Sequence, residues 1–140
     1  MKELLFLILF LPVLFSCEAP PVKEKVEATY DNGQPKMVNY VQEINGKEEI
    51  VEQKFYFKNG KIKMEGKLSK GKRDGMWKAY FEDGILQSEG EFENDMRTGL
   101  AKVYRPNGKL MYEGQYKDDE EVGHWIFYNE EGKIVKEKDF

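Results

Sequence analysis

The sequence predicts an all-β domain, an elongated antiparallel meander of repeated β-hairpins with a 24-residue period. Three observations carry that expectation. Gly60, Gly84, Gly108 and Gly132 are each 24 residues apart, and Gly66, Gly90 and Gly114 keep the same step, each preceded by a glutamate. Apolar positions obey it too, in Ile62, Leu86, Leu110 and Ile134, with Tyr80, Tyr104 and Tyr128 in phase. Between them, "KIKMEGKLS" (61–69) alternates apolar and charged residues with the period of two that a half-buried strand requires.

The chain begins with "MKELLFLILFLPVLFSC", in which Lys2 precedes an apolar run from Leu4 to Phe15, then Ser16 and Cys17. Those twelve apolar residues fall short of the ~20 a spanning helix needs. Charge, short apolar core and small residue together read as a secretory signal over residues 1–16. The ending "LFSC" resembles the lipobox of bacterial lipoproteins. That resemblance implies cleavage before Cys17, lipid on its thiol and new amine, and a membrane partner through that lipid. The expected address is the bacterial cell envelope, at the outer membrane. Residues 17–29 then read as lipidated cysteine and tether, with "EAPPVKEKVEAT" offering little to bury and reaching about 35–40 Å.

The repeat domain is expected over 30–140. Its first unit, 30–56, is irregular, because Gly33 and Gly60 are 27 residues apart and Asn45-Gly46 adds a turn. Regular repeats follow at 57–80, 81–104 and 105–128, with a half repeat at 129–140. The Asn-Gly steps at 59–60 and 107–108 and Asp-Gly at 83–84 predict two-residue type I′ hairpins. Longer loops ending in Gly75, Gly99 and Gly123 would join the strands at the other edge. In that register Phe81 faces Leu86, Trp77 faces Gly90, and Leu68 also faces Trp77. One face then carries the large rings over the repeated glycines, a pairing that shields strand glycines. The other carries mixed charge and the tyrosine row, which reads as a solvated face.

Composition narrows the function classes. A net charge of −4 argues against a general nucleic-acid binder. One histidine and one cysteine cannot make a Cys/His zinc site or an internal disulfide. His124 has no repeated nucleophile beside it, "DDEE" (118–121) lacks the spacing of a calcium loop, and Glu65, Glu89 and Glu113 recur because the repeat recurs. No enzyme, cofactor, metal or small-molecule substrate is expected. The binding residues expected for a protein partner are the large rings Trp77, Phe81, Tyr112, Tyr116, Trp125 and Phe127, since Tyr and Trp commonly anchor interfaces.

The pattern in "YFEDGILQSEGEF", repeated in "YRPNGKLMYEGQY" and "FYFKNGKIKMEGKL", resembles the bacterial variant of the MORN repeat. Proteins built from it are often labelled YwqK-family antitoxins. The resemblance implies short β-hairpins stacked into a twisted sheet, an interaction role and no catalytic residues. Two roles follow, an envelope-tethered interaction module or an antitoxin or immunity protein that neutralises a toxin. The lipobox departs from what a cytoplasmic antitoxin needs.

Overall fold

A computed structural model describes residues 20–140. The leader expected over 1–16 and the lipid site at Cys17 lie outside the described residues. Ten strands form one sheet in strict sequence order: β1 (Lys23–Thr29), β2 (Pro35–Ile44), β3 (Lys47–Tyr56), β4 (Ile62–Ser69), β5 (Lys72–Tyr80), β6 (Leu86–Glu93), β7 (Met96–Tyr104), β8 (Leu110–Lys117), β9 (Glu120–Tyr128) and β10 (Ile134–Asp139). Every pairing is antiparallel, and the described residues contain no helix. The all-β meander predicted from the repeat is therefore the observed architecture.

Residues 23–29 do not hang free as a tether. They form β1, with Val26 opposite Val38 and the Gln42 side chain donating to the Pro20 carbonyl.

The two kinds of turn exchange roles relative to the sequence expectation. Asn45-Gly46 is a tight turn joining β2 to β3, but the Asn-Gly steps at 59–60 and 107–108 and Asp-Gly at 83–84 close wider loops. At Phe81–Ile85 the Phe81 N–H donates to the Ile85 carbonyl, the Gly84 N–H donates back to Phe81, and only Gly84 has positive φ. Asp83 instead accepts the Ile85 N–H through its side-chain Oδ1, as Asn59 does for Lys61 and Asn107 for Lys109. This is the Asx geometry that makes these residues turn formers. As a result Tyr80, not Phe81, faces Leu86, and Phe81 opens the loop, half-buried.

The tight turns lie at the opposite edge. Lys70-Gly71, Asn94-Asp95 and Asp118-Asp119 have both central φ values positive and join strands directly, pairing Ser69 with Lys72, Glu93 with Met96 and Lys117 with Glu120. That is the type I′ signature. The expected six-residue loops do not exist. Gly75, Gly99 and Gly123 sit inside strands, also with positive φ, where the ladder shifts register. Leu68 accordingly faces Arg73, while Trp77 pairs with Gly66 on one side and Gly90 on the other.

Each face is organised in rows across the strands. On the charged face the row runs Lys54, Glu65, Lys78, Glu89, Lys102, Glu113, alternating in sign at every step. Tyr80, Tyr104 and Tyr128 donate their hydroxyls to Glu65, Glu89 and Glu113 at 2.7–2.8 Å. Burial, then the bond to its glutamate, pushes the Tyr80 and Tyr104 hydroxyls up to about 12. The solvated face is thus a row of alternating charges, with ion pairs at Lys54–Glu65 and Lys102–Glu113 and a phenol–carboxylate bond in each repeat.

Candidate functional site

On the aromatic face the central row reads Gly66, Trp77, Gly90, Ala101, Gly114, with Trp125 opposite Lys138 beyond it. The two tryptophans use a glycine each. A Cβ built on Gly66 would overlap the Trp77 ring, and one on Gly114 the Trp125 ring. The indoles lie flat on bare backbone, so Trp77 is 5% exposed and Trp125 2% exposed in a single-layer sheet. Each indole N–H is satisfied, by the Lys67 carbonyl at 2.9 Å and the Val122 carbonyl at 3.2 Å.

Trp125 is enclosed at least as well as Trp77, although Lys138 stands opposite it where glycines flank Trp77. Phe140 closes over it edge-on at 5.9 Å, and Tyr116 and Tyr112 approach at 5.1 and 6.0 Å. Phe127 extends this cluster, 5.8 Å from Tyr112. Of the six rings expected to bind a partner, Tyr112, Tyr116, Trp125 and Phe127 are therefore one cluster. Trp77 stands apart with Phe92 at 6.5 Å, and Phe81 belongs to the loop edge.

Ala101 occupies, one repeat on, the place of Trp77 and Trp125. Gly90 is consequently a floor without a ring: an added Cβ would meet only Ala101, at an ordinary 3.6 Å. The neighbouring row is also small here, with Ala79, Ser88 and Val103 side by side, where the following strands carry Tyr112 and Phe127. A hollow of about 240 Å³ results, walled by Trp77 and Phe92 on one side and by Tyr112 and Tyr116 on the other.

Two arginines line the same hollow. Arg73 lies 4.0 Å over the Phe92 ring and Arg97 4.1 Å over the Tyr116 ring, within cation–π range. Each is also fixed to the next tight turn. Arg73 donates its backbone N–H and Nε to Asp95 Oδ1 and Nη2 to the Asp95 carbonyl, and Arg97 repeats all three bonds to Asp119. The backbone N–H, with the guanidinium behind it, holds both aspartate carboxyls below the usual carboxylate range. The repeat made this arginine pair visible as Arg73 and Arg97, 24 residues apart. Their role was hidden because both fall in stretches expected to be loops, where the spacing assigns a side chain no partner.

His124 is exposed on the other face, between two carboxylates. Its Nδ1 and Nε2 lie 2.7 Å from Asp139 and 2.9 Å from Glu137, the Asp139 bond leading in holding its pKa above the ordinary histidine value. Among the described residues no group of three His, Cys, Asp or Glu side chains could hold a metal ion.

The model of the family described as MORN repeat variant matches residues 51–68, 73–94, 97–118 and 121–140, more than half of the chain. The matched segments break at the tight turns, so each holds one wide-loop hairpin. No curated protein matches the chain.

Proposed function

The chain belongs to the MORN repeat variant family, and from that premise we propose that it is a non-catalytic, envelope-anchored scaffold that binds another protein. The observation that carries the reading is the open aromatic face. A ten-stranded sheet of stacked hairpins with nothing among the described residues layered on it offers a long surface, and the hollow over Gly90 opens on it. Repeat scaffolds present extended binding surfaces of this sort.

The anchoring half of the proposal rests on sequence. Lipid on Cys17 would hold the scaffold at a bacterial membrane through the short segment between Cys17 and β1, so the sheet would stand close to the lipid surface. Metabolic labelling with a fatty-acid analogue tests this: wild type takes up label and Cys17→Ala does not. Equal label on both would remove the anchor. The partner is tested by co-purification from native envelope, and recovery of a toxin there would turn the scaffold into an antitoxin or immunity protein.

A further inference from the structure

We propose that the hollow over Gly90 is a docking site for an aromatic side chain of a partner polypeptide that carries a carboxylate beside the ring. The inference rests on the scaffold reading above and deepens it by naming what the scaffold grips.

The shape argument comes from the chain itself. Twice in this row an indole lies flat on a glycine, Trp77 on Gly66 and Trp125 on Gly114. The third glycine of the series, Gly90, has Ala101 where the ring would originate, and about 240 Å³ open above it. The repeat therefore builds a ring-on-glycine seat and leaves it unfilled from within. A planar aromatic side chain entering from outside would find the same bare backbone below and an aromatic wall on each side. Aromatic rings gain both from burial and from such edge and offset contacts.

Charge selects the ring's neighbour. Arg73 and Arg97 border the hollow from above the Phe92 and Tyr116 rings. A guanidinium has five N–H donors. Each here gives Nε and Nη2 to an aspartate of the tight turn, and Nη1 has no partner among the described residues. Those bonds hold both guanidinium groups in place before any ligand arrives, which lowers the cost of ordering them on binding. The lining lysines and Glu89 belong to the ladder on the opposite face, and Glu91 lies against Gly99. The charged groups on the aromatic face at the rim are thus two arginines, each already ion-paired to Asp95 or Asp119, and a carboxylate is the group their remaining Nη1 donors fit.

The test titrates N-acetyl-tryptophan and its uncharged amide into the ¹⁵N-labelled full-length chain in neutral detergent. Amide shifts centred on Gly90 and Ala101 are expected, with the carboxylate form about five- to tenfold tighter than the amide. Ala101→Trp fills the seat with the chain's own indole and should abolish both titrations. Gly90→Val fills it from the floor and serves where the first variant folds poorly. Shifts centred elsewhere, equal affinity for acid and amide, or undiminished binding by the filled variants would each overturn the proposal. Shifts at Gly90 that follow protein concentration instead would make a second copy the occupant and overturn it too. Wild type and Ala101→Trp are also compared in co-purification from native envelope. If both recover the same partner equally, the scaffold stands and the hollow falls; if wild type recovers none, the scaffold reading itself fails.

Discussion

Gly66 and Gly90 stand one repeat apart in the same row, yet only Gly66 lies under an indole. The difference is set across the strand, where Trp77 turns its ring toward β4 and not toward β6. Gly66→Ala should therefore cost about 1–3 kcal/mol, the usual range for overpacking, while Gly90→Ala or Gly90→Val should leave thermal stability near wild type. A sequence reading that pairs Trp77 with Gly90 finds a true backbone neighbour and misses which side the ring covers, because rotamer direction is not written in the spacing. Trp125→Ala, which empties the best enclosed ring, should lower stability by ~3–5 kcal/mol in chemical denaturation. His124 makes a pH-dependent contribution to the same end of the sheet. Its folded pKa is raised, so the stabilisation is complete below the unfolded value near 6.5 and is lost as pH rises through the folded one. An NMR titration should place the His124 midpoint above 6.5, and His124→Gln should flatten the fall in stability across that window.

At the scale of the element, the two edges of the sheet solve the same problem by different chemistry. The wide loops use a glycine with an Asn or Asp side chain that caps its own backbone, and that much is legible as Asn-Gly and Asp-Gly. The tight turns at Asn94-Asp95 and Asp118-Asp119 contain no glycine, so they read only as the start of longer loops. Both residues nonetheless adopt positive φ, a conformation Asn and Asp tolerate better than other side chains. Arg73 and Arg97 hold these turns from 22 residues upstream, and a support that distant leaves no local mark in the sequence. Because Asp95 and Asp119 have lowered folded pKa values, their contribution is present above the unfolded value near 3.8 and is lost as pH falls through the folded one. Arg97→Gln should weaken this acid-side dependence, read as a smaller loss of melting temperature between neutral and strongly acid pH. An unchanged acid profile would mean the arginine bonds do not hold the turn in solution.

At the scale of the whole molecule, substantial contacts join only strands adjacent in sequence. A chain of this kind distributes its stability as a sum of units and their nearest-neighbour interfaces. Hydrogen exchange should follow that order, with β10, whose residues are all exposed, opening first and the β4–β5 and β8–β9 pairs under the indoles opening last. The 24-residue period made the meander and the two faces legible, while the pairing of Phe81 with Leu86 and of Leu68 with Trp77 expected from it does not occur. It did not disclose that Ala101 breaks the tryptophan series, although the substitution is plain once the rows are aligned, because strand register had to be known first. The account turns on whether this single layer hides its own indoles and so keeps its open surface for a partner. Acrylamide quenching of tryptophan fluorescence on the isolated full-length chain tests that most directly. Blue-shifted emission that resists quenching is the predicted result, since Trp77 and Trp125 are enclosed without any second molecule. Emission at the wavelength of water-exposed indole, quenched as readily as free tryptophan, would contradict it.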